Sequence, residues 1–136
     1  MIYTSYFAKF KKLPENMIPI SICGKTPTGY TGLQYKKLAP KYKFFMEWKE
    51  NHDNEFYITN FKKQVLDSLT INGVLNDLYD LLSPEQKEKL NKEEYWNNKD
   101  THIVLLCYEK PSDFCHRHLV ADWMTEAGIH VEEYTC

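Results

Sequence analysis

Three adjacent side chains, Cys115, His116 and Arg117, form the densest concentration of reactive groups in the chain. An ionised cysteine is a nucleophile, and the positive end of a helix favours its ionisation. Histidine exchanges protons near neutral pH. Arginine presents a planar fork that grips phosphate or carboxylate at two points, which lysine does not. The chain has sixteen lysines and this single arginine, so the guanidinium stands out. Glu109 is a further proton-transfer candidate, either as a general acid/base or as the group that orients Arg117. A purely structural arrangement would bury Cys115, pair Arg117 with Glu109 or Asp113 and leave His116 exposed.

The elements around the triplet decide which chemistry it can reach. Ile103 to Tyr108 is a continuous apolar run, the pattern of a strand covered on both faces. Pro111-Ser112-Asp113 reads as a turn, with Ser112 as N-cap of a helix over about 113–127. Val120, Trp123, Met124 and Ala127 are its expected core face, and Gly128 ends it. The triplet then lies in the first helical turn, where unpaired N–H groups and the helix dipole receive anions. Ile129 to Tyr134 returns as a strand, so the unit reads as a right-handed crossover between parallel strands.

Two earlier strands complete the frame. Ile2 to Phe7 is the first. Met17 to Cys23 is the second, with Pro19 arguing for an edge position or an irregular start. Ligands of open parallel sheets bind beyond the carboxyl ends of the strands. Ser5, Tyr6, Cys23, Gly24, Lys25, Tyr108 and Glu109 should therefore converge on the triplet. Residues 24–38, rich in Gly, Thr, Pro and Tyr, form a long loop expected to overhang the same place. Its lysines, interleaved with Tyr30 and Tyr35, could hold phosphates and stack bases. The glycine spacing is neither a P-loop nor a dinucleotide fingerprint.

Between these halves the pattern is helical. Pro40 sits in the first turn of a helix over 40–50. Asp53 caps a second, with Tyr57, Phe61 and Val65 on one stripe. Ile71, Val74, Leu75, Leu78, Leu81 and Leu82 form a third stripe. Ser83-Pro84-Glu85-Gln86 is a capping box with proline at the first helical position.

The segment Val104-Leu105-Leu106-Cys107-Tyr108-Glu109-Lys110-Pro111, followed by Phe114-Cys115-His116-Arg117-His118-Leu119-Val120-Ala121, resembles the hallmark of the domain-of-unknown-function 488 family: an apolar strand ending in Cys-x-Glu, then Cys-His-Arg opening a helix. Thr4-Ser5-Tyr6-Phe7, Ser21-Ile22-Cys23-Gly24 and Tyr35-Lys36-Lys37-Leu38-Ala39-Pro40 are similar to one branch of that family. The resemblance implies an α/β fold and a site at Cys107, Glu109, Cys115, His116 and Arg117, without implying a reaction. Other branches carry Gly-His-Ser after the first strand and Asp-x-Arg after the second. This chain has Tyr3-Thr4-Ser5 and Ile22-Cys23-Gly24, so a second arginine is missing and Lys25 is the available substitute.

Composition bounds the rest. The 136 residues, 43% hydrophobic and 26% charged, suit one domain over 1–136. No stretch could span a membrane and the N-terminus lacks the pattern of a secretion signal, which points to the cytoplasm. Cys23, Cys107, Cys115 and Cys136 are then expected as free thiols, with Cys107 a small core residue. The Cys-x7-Cys-His-x-His spacing fits no common zinc pattern, so no metal or cofactor is expected. Residues 1–49 hold nine lysines against Glu15 and Glu47, and the remainder is acidic. The two halves could complement each other, or the front could attract an anionic partner.

The sequence therefore predicts a three-layer, Rossmann-like α/β domain with a small, mostly parallel sheet flanked by helices. Its expected ligand is nucleotide-like or otherwise phosphate-bearing. The predicted binding residues are Arg117, Ser5, Tyr6, Cys23, Gly24, Lys25 and Tyr30, with Cys115, His116 and Glu109 as catalytic candidates for turnover. A nucleic-acid or protein interaction module using the basic front is the alternative. The spacing of Cys115 and Arg117 excludes the Cys-x5-Arg loop of cysteine phosphatases.

Overall fold

The computed structural model describes residues 1–110 and 112–134. Strands β1 (Ile2–Tyr6), β2 (Met17–Ser21), β3 (Leu33–Gln34), β4 (His102–Cys107) and β5 (Val131–Glu133) form one sheet, ordered β3-β2-β4-β1-β5. Every pairing is parallel. Buried on both sides by its neighbours, β4 has all six residues inside, which is why its sequence is apolar without alternation.

Pro19 is accommodated without making β2 an edge strand. β3 pairs only with Ile20 and Ser21, so at Pro19 one flank of β2 is open and the missing N–H breaks no ladder bond.

The two sheet faces are covered differently. Ile2, Ile18, Ile20, Ile103 and Leu105 pack against α1 (Tyr42–Asn51), α2 (Asn54–Gln64), α3 (Ile71–Asp80) and α5 (His116–Glu126) through Phe44, Tyr57, Phe61, Val74, Leu78, Val120 and Met124. The opposite face, Met17, Val104 and Leu106, is covered by Phe7, Phe10, Leu13, Tyr30 and Tyr134. Phe7–Lys12 is a 3₁₀ turn directly after β1. The third layer is thus a thin one of turn and aromatic rings, which leaves it room to carry a recess.

Local signals explain the helix starts. Asp53 accepts from the Glu55 and Phe56 amides, Thr70 from Gly73, and Ser83 and Gln86 cap α4 (Pro84–Glu88) reciprocally. α1 begins later than expected: Lys41 is its N-cap, so Pro40 precedes the helix.

The helix after β4 also begins later. Ser112 is not its cap. Cys115 is, with extended backbone, so the 108–114 connection is longer and His116 opens α5. Ala127 is exposed rather than part of the core face. No described helix is long and apolar enough to cross a membrane.

Candidate functional site

Arg117 is the largest fully buried side chain described. Its Nε and Nη2 donate to Oε1 and Oε2 of Glu133, each at 3.1 Å, and Nη1 donates to the Glu109 carbonyl. Thr4 Oγ1 donates to Glu133 Oε1 at 2.7 Å, and the Tyr6 ring lies 5.8 Å from the guanidinium carbon. Each of the three guanidinium nitrogens has a protein partner, and the side chain has no solvent exposure. The expectation that Arg117 receives a ligand anion is therefore corrected: it anchors the end of β5 to the start of α5. Neither Glu109 nor Asp113 supplies the carboxylate. Glu133 does, because the sheet order places β5 beside β1.

Cys107 and Cys115 form a disulfide, which corrects the expectation of free thiols and of a Cys115 thiolate. The end of β4 and the N-cap of α5 face each other across the connection, and the extended Cys115 turns its sulfur inward. Among the described residues Cys23 is the free cysteine. It is buried, and desolvation pushes its thiol up to about 12. Cys136 lies outside the described residues, as does Pro111 of the expected turn.

His116 is buried, not exposed, and burial lowers its pKa to about 4. It is therefore neutral at pH 7. Its Nε2 lies 2.7 Å from the Ile22 carbonyl and must be the donor there. Nδ1 then carries the lone pair and faces the sulfurs of Cys107 at 3.4 Å and Cys115 at 3.9 Å.

Glu109, Cys115 and His116 line a small cleft with Phe45, Trp48, Tyr57 and Phe114. Its volume is about 30 Å³, enough for about one water molecule. The three catalytic candidates are brought together, but without space for a substrate among them.

The other predicted residues divide. Ser5 is buried and donates to the Tyr134 carbonyl at 3.3 Å. Gly24 and Lys25 are exposed, and the Lys25 carbonyl accepts from the Tyr108 hydroxyl at 2.7 Å. Tyr30 lines a recess of about 420 Å³ with Phe7, Phe10, Lys11, Lys12, Pro27 and Gly29. That volume lies within the usual range for a small-molecule site. The recess opens between the segments leaving β1 and β2, at the carboxyl edge of the sheet.

Its shape has a local cause. Phe10 and Tyr30 have ring centroids 4.8 Å apart, and Phe7 and Tyr30 5.3 Å. Tyr30 is fixed by its hydroxyl, which donates to Leu33 at 2.6 Å. A Cβ at Gly32 would stand 2.6 Å from the Tyr30 Cζ, so only glycine lets the ring fold back this far. Gly29, with φ +90°, makes the bend before it.

Sequence reasoning missed Phe7, Phe10, Lys11 and Lys12 as site residues. Their signal was present in the lysine-rich front segment, but the 3₁₀ turn gives no strong periodicity. It also missed Glu133.

Fold and site define a parallel α/β domain with an aromatic, basic recess at the carboxyl edge of its sheet and a cysteine–histidine cluster beside it. Residues 11–128 match the family described as the active DUF488-N3 subclade. The chain belongs to that family. No curated protein and no solved structure is detectably similar to the chain.

Proposed function

We propose that the chain binds a nucleotide-like or other phosphate-bearing small ligand in the recess between the 3₁₀ turn and the loop after β2. One observation carries this reading: aromatic rings and two lysines share a ligand-sized hollow at the carboxyl edge of a parallel sheet. The rings of Phe10 and Tyr30 offer a surface for a planar base. The ammonium groups of Lys11 and Lys12 supply the positive charge for phosphate. Arg117 supports the frame and does not touch the ligand. Cys115, His116 and Glu109 do not line the recess, so the proposal is for binding, with turnover not required.

A second reading uses the same surface for nucleic acid. Lys9, Lys11 and Lys12 follow one another along the 3₁₀ turn, and a single strand could stack bases on the same rings. The two readings differ in salt and length dependence.

Thermal unfolding against nucleoside mono-, di- and triphosphates, pyrophosphate and single-stranded oligonucleotides tests both. The proposal expects a rise in midpoint with nucleotides that is weaker with pyrophosphate. Stabilisation only by oligonucleotides, growing with length and collapsing with salt, favours the second reading. A folded sample that responds to none of these ligands contradicts both.

A further inference from the structure

We propose that Cys23, Cys107, Cys115 and His116 form a thiolate-rich site for one divalent ion of the zinc class, open to metal when the Cys107–Cys115 disulfide is reduced and closed when it forms. The site lies outside the recess described above and does not depend on what binds there.

The first argument is convergence. The ligand atoms of Cys23, Cys107 and His116 all lie within 4.8 Å of one another. Cys115 is bonded to Cys107, and its sulfur is 3.9 Å from His116 Nδ1. In a tetrahedral zinc site with Zn–S near 2.3 Å and Zn–N near 2.0–2.1 Å, the ligand atoms stand roughly 3.5–3.8 Å apart. The distances from His116 Nδ1 to the sulfurs of Cys107 and Cys115, 3.4 Å and 3.9 Å, are already close to that spacing; the two bonded sulfurs are not. On reduction these have to part by roughly 2 Å.

The second is the state of the histidine. A metal-bound imidazole donates its other N–H to a carbonyl or carboxylate, which fixes ring and tautomer. His116 Nε2 donates to the Ile22 carbonyl at 2.7 Å. This leaves the Nδ1 lone pair aimed at the sulfurs of Cys107 and Cys115.

The third is the scaffold. Cys23 follows β2, Cys107 ends β4 and Cys115 caps α5. The Ile22 amide donates to the Leu106 carbonyl at 3.1 Å, tying two of these segments together. All four side chains are buried, and structural zinc sites are closed in this way. Three thiolates and a divalent ion leave one net negative charge, and the N-terminus of α5 lies against it.

The chemistry balances with a dithiol reductant. It delivers two electrons and two protons to the Cys107–Cys115 bond, which breaks into two thiols while the reductant closes to its own disulfide. Metal binding then forms three metal–sulfur bonds and one metal–nitrogen bond and releases three thiol protons to solvent.

Anaerobic titration of the reduced chain with Co²⁺, then Zn²⁺, tests the site. The expected result is uptake of one cobalt per chain with the intense visible absorption of tetrahedral thiolate coordination, displaced by one zinc. The oxidised chain should give no such spectrum. Cys23→Ser leaves the disulfide possible but removes a ligand. It should weaken binding by more than the roughly 10–100-fold that loss of an outer partner costs. Absence of the tetrahedral spectrum in the reduced wild type overturns the proposal, as does equal uptake by the oxidised chain or unaltered affinity in Cys23→Ser. The wild-type comparison decides the matter even if the variant does not fold.

Discussion

Arg117 and Glu133 form a two-point ion pair, with both N–O distances at 3.1 Å, between the first turn of α5 and the last residue of β5. The two members are unequal. The arginine side chain has no exposure and the glutamate side chain retains 21%. Removing Glu133 therefore strands a buried cation, whereas removing Arg117 leaves a carboxylate that can still reach water. Glu133→Ala is expected to cost about 3–5 kcal/mol and Arg117→Met less. Urea denaturation of both variants checks the order. The combined Arg117→Met/Glu133→Leu chain should recover part of the loss, because an apolar pair carries no desolvation penalty.

The recess predicts a division of labour among its walls. Tyr30→Ala or Phe10→Ala should cost about 1–3 kcal/mol in nucleotide affinity through lost stacking. Lys11→Ala should weaken phosphate-bearing ligands and flatten the salt dependence, with little effect on a nucleoside lacking phosphate. Calorimetric titration at two salt concentrations separates these effects. Equal losses for nucleoside and nucleotide in Lys11→Ala would contradict the assignment.

Gly32 makes no side-chain contact with any ligand, yet Gly32→Ala should weaken binding as Tyr30→Ala does. The added methyl would collide with the Tyr30 ring, pushing it from its bond to Leu33. The check is the same titration. Wild-type affinity in a folded Gly32→Ala chain would show that the ring position does not matter.

Acid should destabilise the chain through His116. Its folded pKa, lowered by burial to about 4, lies below the ordinary value near 6.5. The unfolded state therefore binds more protons between these values, and stability falls as pH drops from about 6.5 towards 4. The loss from this residue is on the order of 2–3 kcal/mol. Burial lowers His102 and His118 as well, so they add in the same direction. His116→Gln can keep an N–H donor for the Ile22 carbonyl without titrating. Its stability should be flatter than wild type over this window in a pH series of denaturation curves.

Reducing the Cys107–Cys115 bond without metal should cost about 2–3 kcal/mol, the loop-entropy value for so short a closed loop. Denaturation with and without a dithiol reductant, under chelation, measures it. No difference would mean that the sulfurs do not constrain the unfolded chain.

The fold was largely legible because its signals are local. The unbroken apolar run of β4, the Asp53 and Ser83 caps and the stripe from Ile71 to Leu82 each state their element directly. The start of α5 was not, since Ser112 is the better cap by type, whereas Cys115 takes the position with no side-chain cap bond. That shift moved Cys115 to a position where its backbone is extended and its sulfur meets Cys107. Arg117 was legible as unusual but not as buried, because its partner Glu133 becomes a neighbour only once β5 is placed beside β1. The recess walls come from a 3₁₀ turn and a glycine-shaped loop, neither of which has a periodic signature.

The most direct measurement is backbone amide NMR of the oxidised chain titrated with a nucleoside diphosphate. The recess assignment predicts saturable shifts concentrated at residues 7–12 and 27–32, with Arg117 and Glu133 little changed. Shifts centred on residues 115–118, with the recess silent, would contradict it and return the ligand to the helix start.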